Sequence, residues 1–223
     1  MVMLMSKKKV RFLLLIVFLL IVLVLGYYVL YTINYIPHKK YSNADFGIEP
    51  YISKVDMDQD GLDDQSDILE GVREYIATKP HYQSKYYDGG YPDDRNGVCT
   101  DLVAFGLLHA GYDLRNLVYE DVQENRDAYD IETIDRNIDF RRVRNLKVYF
   151  ARNAISLTTD VSDIAEWQGG DIVVFENHIG IVSDYRNRNG VPFLIHNGSN
   201  FQRYYEEDVL EIRDDIVGHY RMS

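Results

Sequence analysis

The sequence predicts an α+β domain behind one N-terminal transmembrane helix, and three observations lead there. Phe12 to Ile33 is a run of 22 residues without a charge. Ile68–Ile76, Cys99–Leu108 and Asn145–Asn153 carry apolar residues in helical patterns. From Gly169 to His196, short apolar runs alternate with turn residues, as in paired strands. The 223 residues leave room for one ordinary domain after the anchor. Hydrophobic residues make up 46% and aromatics 13%, which excludes a wholly disordered chain. The single cysteine excludes an internal disulfide and the usual multi-cysteine zinc or iron–sulfur sites. Lys7, Lys8, Lys9 and Arg11 all precede the first acid, Asp45, so 20 basic and 35 acidic residues lie after residue 38, a balance of −15. A domain that acidic is no nucleic-acid binder, which needs basic patches to release counterions.

In chain order, residues 1–11 form a basic tail and residues 12–33 the anchor. At 1.5 Å per residue the run reaches about 33 Å, enough to cross a bilayer. Tyr27, Tyr28, Tyr31 and Tyr35 suit an interfacial belt. No small-x-small site follows, since the chain reads Leu25-Gly26-Tyr27-Tyr28; a cleaved signal peptide is the alternative. The positive-inside rule places residues 1–11 in the cytoplasm and the body outside, a single-pass cell-membrane protein. Residues 34–55, with Pro37, Gly47 and Pro50, read as a tether.

The domain proper is expected over 56–223 and opens with an aspartate loop, 56–67. Asp56, Asp58, Asp60, Asp64 and Asp67 occupy positions 1, 3, 5, 9 and 12 of a calcium loop, and Gly61 takes the turn at position 6. The Leu62 carbonyl is the expected seventh-position ligand. Six aspartates in twelve residues repel one another unless a cation neutralises them, so structural calcium is the expected cofactor. A solvated acidic turn capping a helix is the alternative. Beyond the loop, Ile68, Leu69, Val72, Tyr75 and Ile76 share one helical face, which Lys79-Pro80 ends.

Asn96-Gly97-Val98-Cys99 precedes a run that is apolar nearly all round, with Asn96 as the expected N-cap. Cys99 then lies in the first helical turn, where the dipole and free amides favour a thiolate and can hold an oxyanion. A buried structural thiol is the alternative. Ile172–Phe175, His178–Asp184 and Val191–His196 read as strands. If Asp184 pairs with Gly190 across a five-residue loop, His178 falls opposite His196 on one sheet face. Pro192 then requires an edge or a bulge. Arg136, Arg141, Arg142, Arg144 and Arg152 are salt-bridge partners or a site for an acidic substrate group. His38, His81, His109 and His219 have no readable role.

Cys99 at a helix start, Gly170-Asp171-Ile172-Val173-Val174-Phe175, His178-Ile179-Gly180-Ile181-Val182 and Ile195-His196 together resemble the papain-like peptidoglycan peptidases of the NlpC and CHAP kind. The chain more closely resembles a family of uncharacterised bacterial exported proteins related to that group. That resemblance spans about residues 56–223 through Val98-Cys99-Thr100-Asp101, Trp167-Gln168-Gly169-Gly170-Asp171, His196-Asn197-Gly198 and Gly218-His219-Tyr220. It departs from the NlpC pattern at Thr100-Asp101. The resemblance implies a papain-like fold with the cysteine helix on a small antiparallel sheet, and a nucleophile Cys99, base His178 and third residue His196. It also implies hydrolysis of an amide bond in peptidoglycan or its stem peptides. The Cys99 amide at the helix start is the expected oxyanion donor, with Tyr91 and Asn96 as candidates for another. The rivals are a non-catalytic cell-wall or protein binding module on the same fold and a thioester-forming acyltransferase.

Overall fold

The structure, a computed structural model, describes residues 6–222, which divide between His38 and Lys39 into an N-terminal helical unit and a folded body. The first five residues of the expected tail lie outside the described residues. Helix α1 spans Lys7–Thr32, about 39 Å at the helical rise, and none of its residues is buried. It is long and apolar enough to cross a membrane.

The body begins earlier than the expected tether allows. Residues 39–55 belong to it, because they supply partners that its interior requires. Arg186 is fully buried, and an unpaired guanidinium there would cost several kcal/mol. Its Nε donates to Asn43 Oδ1 at 2.5 Å, and its other nitrogens donate to the carbonyls of Ile164, Trp167 and Gly190. The Tyr41 backbone also pairs with Arg186.

Four helices follow: α2 (Asp64–Ala77), α3 (Cys99–His109), α4 (Leu114–Glu124) and α5 (Val143–Asn153). A short parallel pair, β1 (His81–Tyr82) and β2 (Asn96–Gly97), precedes α3. The main sheet comprises β3 (Ile155–Ser156), β4 (Ile172–Phe175), β5 (Ile179–Arg186), β6 (Pro192–Ile195), β7 (Glu206–Glu207) and β8 (Ile216–Arg221). Its order is β3-β8-β4-β5-β6-β7, and every pairing is antiparallel.

The α2–α3 crossing is close because glycines sit at it. A Cβ on Gly106 would lie 2.3 Å from Val72 Cγ1, and one on Gly71 would lie 2.4 Å from His109 Cβ. Ile68 and Val72 of α2, Leu102, Val103 and Leu107 of α3, and Ile172, Val174, Ile179, Ile181 and Ile195 of the sheet form one core. The intervening residues Val173, Phe175, Val182 and Leu194 face the other way, against Trp167 and Leu210. Each such side chain contributes about 1.5–3 kcal/mol by leaving water.

Asp171, fully buried, ties the layers together. It accepts from both nitrogens of Arg221, from His219 Nε2, from Gln65 Nε2 and from the Gln168 amide. His219 stacks on Trp167 at 3.8 Å, and its Nδ1 bonds the Thr158 carbonyl. Its role is structural, which no sequence spacing reveals.

Candidate active site

Cys99 opens α3, as its place before an apolar run predicts. Asn96 does not cap the helix. It pairs with His81 in the short parallel ladder, and its side chain donates to Asp94 at 2.8 Å. Asp101 instead closes the first turn, accepting from the Val98 amide at 2.8 Å. Arg141 grips that carboxylate bidentately at 2.5 and 2.9 Å, so the turn carrying Cys99 rests on a buried ion pair. Arg141 and Arg152, the latter paired with Asp121 at 3.0 Å, are structural partners of acids. Tyr91 is committed elsewhere: its hydroxyl donates to Asp113 at 2.8 Å and its ring packs on Phe105 and Phe140.

The expected strand register is off by two residues. Ile181 pairs with Ile195 and Val182 with Leu194, a register that extrapolates to His196, just past the end of β6, level with Gly180 rather than with His178, just before β5. The ladder then shifts before Arg186–Pro192, which accommodates the proline as a bulge. A slip of two preserves the sheet face, because side chains alternate with a period of two. His178 and His196 therefore still meet, with Nε2 of the first 2.8 Å from Nδ1 of the second.

Glu207 extends the chain. Its Oε2 lies 3.2 Å from His196 Nε2. This residue was not found by sequence reasoning, since a two-residue strand leaves no periodic signal. A carboxylate only accepts, so His196 carries its proton on Nε2 and accepts at Nδ1 from His178 Nε2–H. The lone pair left over is on His178 Nδ1. Burial pushes both imidazoles well below their ordinary range; Arg213 adds to this at both rings and His196 adds at His178, where Asp215 opposes it. Both are neutral at pH 7.

The thiol differs from expectation. Cys99 is 6% exposed, and burial pushes its pKa up to about 11. Backbone amides of Ile179, Thr100 and Cys99 oppose the shift, while the Asp101 charge adds to it. The magnitudes explain the outcome. A helix terminus supplies about 0.3–1 kcal/mol, under one pKa unit. Burial shifts a group by up to about 3–5 units. Cys99 thus rests as a thiol. Among the described residues no hydrogen bond joins its sulfur to His178, although Ile179, the next residue, donates to it. Asn197 fastens the two halves, donating to the Gly97 carbonyl at 3.1 Å. Tyr82, half-buried and paired in register with Gly97, lies within electrostatic reach of the sulfur.

The aspartate loop divides. Carboxylates of Asp56, Asp58 and Asp60 lie within 4.8 Å of one another. Asp64 and Asp67 do not join them. Asp64 accepts from the Met57 amide at 2.8 Å and from the Tyr112 hydroxyl, and Asp67 bonds His109 Nδ1 at 2.5 Å. Both sit in the first turn of α2, and both are buried. The helix starts inside the twelve-residue motif and turns these two toward α3 and Tyr112. Leu62 donates its amide to Asp60 at 2.8 Å.

The family described as Domain of unknown function (DUF1287) matches residues 69–222. The chain is also 38% identical over 168 residues to the Uncharacterized protein YijF of Escherichia coli (strain K12), covering 69% of this chain and 80% of the relative. No solved structure matches.

Proposed function

The chain belongs to the DUF1287 family, and from that premise we propose that it is a membrane-anchored cysteine hydrolase cutting an amide bond in peptidoglycan. The observation that carries this reading is the His178–His196–Glu207 relay together with a cysteine at a helix start, whose sulfur accepts from the amide of Ile179, the residue after His178. The resemblance to papain-like NlpC and CHAP peptidases supports it, with the same order of cysteine, base and third polar residue. Because both partners are neutral, the proposed attack is general-base catalysed. As Cys99 Sγ bonds the carbonyl carbon, its proton passes to His178 Nδ1, and His178 returns it to the leaving amine. Water then resolves the thioester. His196 holds the His178 tautomer, and Glu207 holds that of His196. The Cys99 amide and the Tyr82 hydroxyl are the proposed oxyanion donors.

Digestion of purified peptidoglycan followed by mass spectrometry tests the reading. Wild-type chain should release fragments, and Cys99→Ala should release none. Equal release by both would overturn it. A second reading is favoured by one observation, the missing Cys99–His178 hydrogen bond: a non-catalytic wall-binding module. It predicts retained binding without release by either chain. Release of amine-capped products would identify an acyltransferase.

We also propose that the Asp56, Asp58 and Asp60 carboxylates take a structural calcium ion, without Asp64 or Asp67. Three adjoining carboxylates repel one another, which a hard divalent cation relieves. The basic residues at the start of α1, Lys7, Lys8, Lys9 and Arg11, support an extracytoplasmic body, which protease added to intact protoplasts should remove. Protection of the body would reject that orientation.

A further inference from the structure

A polar cleft of about 130 Å³ includes Tyr82, which lies within electrostatic reach of the candidate nucleophile. Asn197, which donates to the Gly97 carbonyl two residues before Cys99, lines it with Tyr82. Tyr204, Tyr205, Asn200 and Gln202 supply much of the rest. None of its lining residues is an acid, a lysine or an arginine. Nearly a third of the residues after His38 are charged, so a wholly uncharged lining selects for a neutral ligand.

Part of the lining is committed to building the cleft. Gln202 uses both ends of its amide, donating to the His196 carbonyl and accepting from the Gly198 amide. The Tyr205 hydroxyl donates to the Pro80 carbonyl. The remainder is open to a ligand. Among the described residues, the Tyr82 and Tyr204 hydroxyls and the Asn200 side chain make no hydrogen bond, and Asn197 keeps its Oδ1. Arg203 lies over the Tyr204 ring, 5.5 Å from its centroid. The same loop carries Phe201, which is 96% exposed.

Aromatic rings with uncharged amide and hydroxyl groups match a sugar. A pyranose offers apolar C–H faces to rings and hydroxyls that both donate and accept. A free stem peptide carries carboxylates and an amine, which this lining leaves unmatched. We propose that the cleft is a glycan subsite, so that the substrate is sugar-linked peptide rather than free peptide. The inference rests on the peptidoglycan reading for the identity of the sugar. It does not require turnover.

The test uses full-length Cys99→Ala protein in detergent micelles, titrated by calorimetry. Three probes are compared: the peptide-free peptidoglycan disaccharide, the same disaccharide carrying its stem peptide, and the free stem peptide. The sugar-linked peptide should bind at least tenfold more tightly than the free peptide, and the bare disaccharide should bind measurably. Tyr204→Ala and Asn200→Ala should remove that advantage and leave free-peptide binding unchanged. Saturation-transfer NMR on the disaccharide with otherwise unaltered Cys99→Ala protein should show transfer to the sugar ring protons, independently of whether the variants fold. Equal affinity for linked and free peptide, or no transfer, would overturn the subsite. Sugar binding with no release of fragments by wild type would reject the hydrolase alone.

Discussion

The aspartate loop and the histidine pair both announce themselves by spacing, and the folded chain treats them differently. In the loop, two of five expected carboxylate ligands are drawn away, Asp64 to Tyr112 and Asp67 to His109. In the sheet, the register is wrong by two residues and the imidazoles still meet at 2.8 Å. The difference is one of tolerance. A strand has a period of two, so an even slip leaves every side chain on its face. A metal loop has no such symmetry. Once a helix begins inside it, the later ligands follow the helical rotation toward whatever that face packs against.

The largest expected effect tests the relay that the sheet preserves. Glu207→Gln replaces a group that only accepts with one that can donate through Nε2 or accept through Oε1. The preferred tautomer of His196 is then no longer enforced. Peptidoglycan release should fall by roughly 10²- to 10⁴-fold, as for other triads deprived of their orienting acid. An unchanged rate would mean that the third and fourth members are structural.

The next effect concerns the thiol. A pKa moved from 9.0 to about 11 lowers the thiolate fraction at pH 8.5 by roughly a hundredfold. Iodoacetamide should therefore modify Cys99 at least a hundredfold more slowly in folded than in urea-unfolded protein. Equal rates would show an accessible thiol with an ordinary pKa, and a faster rate in the folded protein would show a thiolate, and with it a preformed ion pair.

The loop is the third target. In the presence of chelator, Asp64→Ala should cost about 2–3 kcal/mol in urea unfolding, since it orphans the Tyr112 hydroxyl and the Met57 amide. Asp58→Ala should cost under about 0.5 kcal/mol there, as an exposed substitution. With calcium added, wild type should gain stability and Asp58→Ala should not; at a hundredfold excess over Kd the gain is about 2.7 kcal/mol. Asp64→Ala should keep the gain. If Asp64→Ala loses it, the loop binds through all its carboxylates and the contrast with the sheet fails.

The smallest effect is in the pH dependence. His178 and His196 have depressed pKa values in the folded chain, against 6.5 for an unperturbed ring. The unfolded chain takes up protons below that value while these folded imidazoles do not. Their contribution is therefore fully present above pH 6.5 and lost as pH falls. Each group costs up to about 1.4 kcal/mol per pH unit below 6.5. Urea unfolding between pH 7 and pH 5 should show a shallower decline for His196→Gln than for wild type. Parallel curves would mean that the imidazoles are hydrated and titrate normally.

The sequence by itself determined the local elements. Helix α1 is set by an uncharged run, the buried face of α2 by Ile68 and Val72 at helical spacing, and β4 by its apolar stretch. It also determined that Cys99 begins a helix and that His178 and His196 share a sheet face, since each follows from a period shorter than ten residues. Tertiary structure alone decided the rest. Glu207 enters the relay from a strand of two residues, and residues 39–55 join the body because a buried arginine needs Asn43. Asp64 leaves the loop for Tyr112, 48 positions away in the chain. The thiol's state was likewise decided by packing, because burial outweighs the helix terminus that the sequence displays. Periodicity is a property of neighbours along the chain. Desolvation and hydrogen-bond satisfaction are set by whichever residues the fold brings alongside, and no local pattern records them.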